Sequence, residues 1–305
     1  MVKYIIKRLV MALITIWIVA SLTFFLMNMV PGGPFLSEKA VSPKALAALE
    51  EKYGLDKPLW QRYTTYMKDA VHGDFGDSLK QRGRSVMSII TGKFPVSARL
   101  GGLSVLVAFC IGVPLGCISA LNRGKALDNV IIVIATCGIA VPSFVICTIL
   151  MYTFGVRLGW LPTLGLKTWK HYIMPVVALS FYPTAYITRL MRSSMLEVLG
   201  QDYMRTARAK GLNQFVSLFK HALRNAILPV VTYMGPLIAY TVTGSFIVEK
   251  IFTIPGLGGE FISSITNRDY TVIMGTTIFL ATLVILMNVV VDIVYTIVDP
   301  RIKLK

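Results

Sequence analysis

The sequence predicts an all-α integral membrane protein: six transmembrane helices, with a small helical domain outside the membrane after the first. Three observations lead there. Of 305 residues, 55% are hydrophobic and only 15% charged, and the mean hydropathy is +0.66, far from the balance of a soluble enzyme. Six stretches stay apolar over about the 20 residues needed to cross a hydrocarbon core of about 30 Å at about 1.5 Å per residue. Basic residues outnumber acidic ones, 31 to 15, and among the short loops and termini they concentrate on one side of those stretches.

The first stretch, 9–30, follows an N-terminal segment, 1–8, holding Lys3, Lys7 and Arg8, and ends at Pro31-Gly32-Gly33-Pro34. Its apolar run is longer than a signal peptide's and no small-residue cleavage site follows, so it reads as an uncleaved anchor. The segment 31–95 reads as a folded external unit. Pro43 to Tyr53 predicts an amphipathic helix with Ser42 as N-cap, stopped before Gly54. Pro58 to Val71 predicts a second, with Trp60, Tyr63, Tyr66 and Met67 near one face, and His72-Gly73-Asp74-Phe75-Gly76 breaks it. Two readings of this unit stand: a cap on the outer mouth of the bundle, or a docking surface for an external partner.

Spans two and three, 96–121 and 130–155, flank the loop 122–129. Span four, 172–190, comes after the loop 156–171 and carries Pro175 and Pro183; span five, 227–248, carries Pro229 and Pro236. Span six, 271–298, lies between the loop 249–270 and the tail 299–305. Interior prolines are tolerated where neighbouring helices or trapped water satisfy the freed carbonyls, so they point to a packed bundle.

Charge sets the orientation. Both termini, the 122–129 loop and the segment 188–226 hold fifteen Lys and Arg, seven of them in that last segment, whereas the opposite short loops hold five. The excess marks the cytoplasmic side, which places both termini there. The long segment after span one, with ten basic and seven acidic residues, is nearly balanced. The surplus of +16 is thus a topology signal, and nucleic acid is not needed to explain it.

Catalytic motifs are absent. No Gly-x4-Gly-Lys-Ser/Thr phosphate loop occurs, and Gly256-Leu257-Gly258-Gly259 lacks dinucleotide spacing. His72, His171 and His221 are scattered, without carboxylates at metal-ligand spacing. Cys110, Cys117, Cys137 and Cys147 lie in apolar spans as packing residues, implying neither disulfides nor metal. An intramembrane enzyme or a membrane-anchored signalling protein would need an embedded catalytic pair, and the spans offer none. The chain reads as no enzyme, with no cofactor of its own, so work on a solute must be driven from elsewhere.

The loop 191–226 is the most informative segment. It predicts two amphipathic helices separated at Gly211, which suits a left-handed C-cap. Ala207 and Ala209 are small enough to let the first helix approach a partner closely. Arg205, Arg208, Lys210, Lys220 and Arg224 face lipid headgroups or a partner, and charge alone does not choose.

This loop resembles the cytoplasmic loop of permease subunits in ATP-binding-cassette importers, whose general signature is Glu-Ala-Ala-x3-Gly-x9-Ile-x-Leu-Pro. Anchored on Gly211, this chain has Arg205-Thr206-Ala207 for the first three positions and His221-Ala222-Leu223-Arg224 for the last four. The departures are those of a subgroup. Arg205-Thr206-Ala207-Arg208-Ala209-Lys210-Gly211-Leu212, with His221-Ala222-Leu223-Arg224-Asn225 and Leu228-Pro229, is similar to the form in dipeptide, oligopeptide and nickel permeases. The match continues in order through Tyr53-Gly54-Leu55-Asp56-Lys57-Pro58, His72 to Ser78, Phe94-Pro95-Val96-Ser97, Ile254 to Gly258 and Asn267-Arg268-Asp269-Tyr270. Gly32-Gly33-Pro34-Phe35, Tyr233-Met234-Gly235-Pro236 and Thr243-Gly244-Ser245 look nearest to the first (B-type) permease subunit of oligopeptide importers.

The resemblance implies a type I ABC importer permease, with the permease domain over about 95–305. It further implies a second homologous permease subunit, two ABC ATPase subunits that use ATP and Mg, an external peptide-binding protein and a peptide substrate, all in a bacterial cytoplasmic membrane. Arg205, Thr206, Ala207, Arg208, Ala209, Lys210 and Gly211 then form the ATPase contact. Tyr182, Tyr186, Met234, Tyr240 and Thr243 offer polar or adaptable surface for a pathway. Dipeptide or nickel-chelate import is the rival within the fold, and no His or Met cluster along the spans supports metal. Gly112 and Gly116 serve either a partner interface or internal packing. Asp292 is either functional or paired with a neighbouring cation.

Overall fold

The computed structural model describes residues 2–31, 33–35, 43–213 and 216–298. Ser42 and the tail 299–305 lie outside the described residues, as do the side chains of Arg208, Lys220 and Asp292. Among the described residues, the regular elements are helices: α1 Val2–Met29, α2 Pro43–Lys52, α3 Leu59–Val71, α4 Val86–Leu121, α5 Ala126–Ala140 and α6 Ser143–Leu150. They continue as α7 Lys170–Leu199, α8 Asp202–Ala209, α9 Leu223–Ala226, α10 Leu228–Val242, α11 Phe246–Ile251, α12 Leu257–Asn267 and α13 Tyr270–Val298. Wide π-helical turns extend α6 over Met151–Arg157 and lead into α9 over Ser217–Ala222.

Among the described residues, four stretches are long and apolar enough to cross a membrane: Ile6–Met29, Val86–Leu121, Leu228–Ile251 and Tyr270–Val290. The pair 126–140 and 143–157 makes a fifth if it is one crossing, although it bends by 104°. The third span expected as one run over 130–155 is therefore broken. Pro142 cannot donate to the helix, and Val141 before it is extended at φ −81° and ψ 123°. The fourth expected span lies within α7, where Tyr, Ser and Pro dilute the apolar run.

Other boundaries also move. Helix α4 starts ten residues before the expected 96, because Phe94-Pro95 does not interrupt it; Phe94 meets Phe279 edge-on at 5.1 Å between ring centroids. Helix α7 runs on to Leu199, so the first residues assigned to the 191–226 loop continue span four. Helix α10 stops at Val242 within the Leu228–Ile251 stretch, and a new helix starts after Ser245, whose Oγ accepts from Val248 N at 3.3 Å. The 249–270 segment, expected as a loop, contains α12.

The chain divides into two compact units, 1–96 with 255–305 and 97–254. In the first, α1 packs along α13, and Gly275 lets Val86 and Phe75 close onto that helix: a Cβ there would stand 2.5 Å from Val86 Cγ1. Asp269 caps α13 and holds the preceding motif. Its carboxylate accepts from Ser78 Oγ, from Leu79 N at 3.1 Å, from Thr271 Oγ1 at 3.0 Å and from Val272 N at 3.4 Å. Glu260 of α12 accepts from the Gln81 amide and from Lys93 Nζ, the latter at 2.6 Å.

In the second unit, the α4 glycines seat other helices of the same chain. A Cβ on Gly112 would stand 2.8 Å from Ile187 Cγ2, and one on Gly116 2.6 Å from Met191 Cβ. Internal packing, rather than a partner interface, accounts for both. Asp128 ties the α4–α5 turn to α7: Arg192 donates through Nε at 2.7 Å and Nη2 at 2.8 Å, Ser119 Oγ at 2.6 Å and Gly124 N at 2.9 Å.

Candidate functional site

Two features of the 97–254 unit carry the functional argument: the arm 200–226 and a cavity at the broken helix. The arm starts where α7 ends at Leu199. Helix α8 presents Met204 (1% exposed) and Ala207 (8% exposed) inward, where Met204 joins Met195, Ala222, Ala226 and Val230 in one buried apolar cluster. Tyr203 Oη accepts from Asn225 Nδ2 at 2.9 Å and ties α8 to the strand of chain that returns to α10.

Gly211 ends α8 as expected. Its φ is +74°, a region that costs glycine nothing. Leu212 N donates to Ala207 O at 3.3 Å, the long return bond of a glycine-terminated helix. The backbone turns sharply there and leaves the outer side of α8 uncovered. That side carries Arg205, Thr206, Ala209 and Lys210, all exposed. Arg205 makes only a solvent-exposed pair with Asp202 at 3.5 Å, which contributes little.

The expected contact set therefore divides. Ala207 lies on the buried inner side of α8, apart from the exposed Arg205, Thr206, Ala209 and Lys210. Further along the arm, Leu212, Val216 and Phe219 are 41%, 39% and 51% exposed. The sequence reading assigned the faces by charge and missed them. The spacing of Leu212, Val216 and Phe219, four and then three apart, was the available signal.

The second feature is a cavity of about 580 Å3 where α5 breaks from α6. Tyr182 and Pro183 of α7 and Tyr233, Pro236 and Tyr240 of α10 line it, opposite Val141-Pro142-Ser143. Tyr186 stacks between its neighbours, 6.3 Å from the Tyr182 ring and 4.3 Å from the Tyr233 ring. Both α7 and α10 carry a proline on this wall. Each lacks the N–H that a helix would pair with the carbonyl four residues back.

Of the five expected pathway residues, Tyr182 and Tyr240 line the cavity, and Tyr186 packs on Tyr182 and Tyr233 without lining it. Met234 lines a separate apolar groove with Val105, Leu106 and Phe109. Thr243 is buried, and its hydroxyl donates to Tyr240 O at 2.7 Å. Tyr233 was missed, although 233, 236, 237 and 240 share one helical face and 234 does not. Among the described residues, no three His, Cys, Asp or Glu side chains gather to hold a metal.

Apolar helices long enough to cross a membrane and a proline-flanked aromatic cavity among them suit a membrane protein, and comparison with known proteins names the class. The chain belongs to the family of binding-protein-dependent transport system inner membrane components, whose model matches residues 112–304, and the N-terminal model of the same systems matches 1–101. It is 43% identical over 305 residues to the oligopeptide transport system permease protein OppB of Haemophilus influenzae, covering 99% of this chain and 100% of that one. It is 45% identical over 304 residues to the dipeptide transport system permease protein DppB of Bacillus subtilis, covering 100% and 99%. Two inward-facing structures of the MetNI methionine ABC transporter match 70% and 69% of this chain and 97% and 96% of theirs. Their TM-scores are 0.55 and 0.59 at 18% identity, a likeness of fold alone. The protein is thus a multi-pass membrane permease, a type I ABC importer permease in fold. As a class, such permeases work with ATPases and substrate-binding proteins.

Proposed function

We propose that this chain is one of two homologous permease subunits of an ATP-driven oligopeptide importer in a bacterial inner membrane. It crosses the bilayer six times with both termini cytoplasmic. Two ATPase subunits bind ATP and Mg below, and an external binding protein delivers peptide above. The arm supports this reading most directly. Its inner face is buried at Met204 and Ala207, whereas Arg205, Thr206, Ala209 and Lys210 are exposed before the turn at Gly211. Closure of the ATPases would move α8 as a lever joined to α7 and α10, exchanging inward-open and outward-open states.

Peptide as substrate draws on the named relatives and on the cavity's chemistry. An aromatic wall with few dedicated donors tolerates varied side chains, because each buried polar group would reject substrates lacking its partner. Gly211→Val places a β-branched residue at φ +74° and distorts the turn. In the reconstituted complex it is expected to lower solute-stimulated ATP hydrolysis at least tenfold while the chain still inserts; undiminished stimulation would overturn the coupling role. Uptake of labelled di-, tri- and longer peptides, with nickel chelates as the competing cargo, tests the substrate separately.

A further inference from the structure

The break between α5 and α6 leaves backbone groups that the chain itself does not pair. Val141 N donates to Cys137 O at 3.0 Å, the last bond of α5. Pro142 has no N–H to give to Gly138 O. Val141 is extended, so the chain leaves the helix before Ser143 N and Phe144 N can reach Ile139 O and Ala140 O. Helix α6 then starts afresh, with Val145 N and Ile146 N both donating to Pro142 O. Among the described residues, no donor meets the carbonyls of Gly138, Ile139 or Ala140.

A membrane-spanning chain tolerates such backbone only where protein buries it or a water-filled cavity borders it. Here residues 139 to 143 all border the cavity of about 580 Å3. Five consecutive residues cannot all turn their side chains one way, so the backbone itself forms that wall. Leu179 borders the same cavity, and its carbonyl receives no N–H from Pro183.

The electrostatics of the cavity follow. The unpaired carbonyls at a helix C-terminus carry about half a negative charge. No Lys, Arg, His, Asp or Glu is among the described residues that line the cavity, so no full charge offsets them. Tyr182, Tyr233 and Tyr240 complete the lining, and aromatic rings attract cations over their faces. An organic ammonium suits this set, because it donates to several carbonyl oxygens at once. A carboxylate would have to lie against those same oxygens. The free N–H of Ser143 suits a neutral carbonyl oxygen next to the ammonium.

We propose that the Ile139 and Ala140 carbonyls, with the tyrosine wall, receive the N-terminal ammonium of the transported peptide, and that its C-terminal carboxylate has no counterpart in this cavity. The inference rests on the peptide-import reading above and adds the chemical group recognised. Every unblocked peptide carries that ammonium, whatever its side chains. Holding one end alone leaves length free, whereas holding both would fix it.

The test uses the assembled complex in lipid nanodiscs without the external binding protein, so that only the permease's own preference is read. The four native cysteines are replaced. Ser143→Cys then reports access to the cavity, with the ATPases empty and again with ATP holding them closed. A trimethylammonium thiol reagent is expected to label this cysteine several-fold faster than a sulfonate reagent of similar size, each rate taken relative to a small free thiol. Millimolar trialanine and trialanine amide should slow labelling several-fold. N-acetyl-trialanine and its neutral amide should not, and Tyr233→Leu should weaken the protection while Tyr233→Phe keeps it. Equal protection by blocked and unblocked peptides would overturn the proposal and leave peptide import standing. So would equal protection by potassium chloride, which would assign the carbonyls to an inorganic cation, and so would faster labelling by the sulfonate. Protection by no peptide would also overturn it, and uptake of labelled peptide with the binding protein present shows whether the import reading falls as well.

Discussion

The Asp269 knot and the α8 arm hold a short segment in place by opposite means. At Asp269, 2% exposed, one carboxylate collects donors from the 78–80 turn and from the start of α13, and almost all of its hydrogen-bonding capacity is used inside the unit. At α8, the anchoring is apolar, through Met204 and Ala207, and the polar side chains are left outside. Both segments contain family-like motifs, yet only one has polar groups to spare. The difference teaches that a motif whose donors and acceptors are all satisfied internally is a fastening, and one whose polar groups remain free is a surface for something else.

The largest expected effect falls on the fastening. Asp269→Ala orphans the Ser78 hydroxyl and backbone donors of Leu79 and Val272, at about 1–3 kcal/mol for each buried group left unpaired. The purified complex should lose several degrees or more of melting temperature, and Asp269→Asn, which keeps an acceptor, should lose less. A variant that melts normally but no longer transports would reverse the comparison and make Asp269 part of the working surface.

A paired substitution sharpens the other side. Ala207→Leu pushes three extra carbons into the seat around Met204, and overpacking of this kind costs about 1–3 kcal/mol. Ala209→Leu adds the same bulk to the exposed side and should leave thermal stability within about 0.5 kcal/mol. Solute-stimulated ATP hydrolysis should nevertheless fall at least tenfold in Ala209→Leu. Equal behaviour of the two variants would mean that the two faces of α8 are not distinct.

How much of this was readable from sequence follows from what each signal encodes. The apolar runs of α1, α4 and α13, and the Gly211 stop, were legible because length and backbone freedom are local properties. The 104° break at Val141-Pro142 was not, since prolines inside spans four and five are absorbed by continuous helices and only the tertiary setting decides. Helix α12 was hidden because Gly256 to Gly259 reads as a loop, while its anchors, Gln81 and Lys93 on Glu260, are more than 160 residues away in the chain. The site divided in the same way. The face containing Tyr233 and Tyr240 follows from helical phase, whereas the inward side of α8 is set by Met204 packing with Ala222 and Ala226, whose spacing from α8 no local pattern fixes.

The smallest effect concerns a polar tie within the arm. Tyr203→Phe removes the acceptor for Asn225 Nδ2 and leaves the ring in place. Tyr203 is 41% exposed, so water can replace the lost partner, and the stability cost should be about 0.5–1 kcal/mol. If the arm is seated by its apolar face, as Met204 and Ala207 indicate, stimulated ATP hydrolysis should drop no more than about twofold. A loss comparable to that of Ala209→Leu would show that the arm depends on a polar fastening after all, and its contrast with the Asp269 knot would disappear.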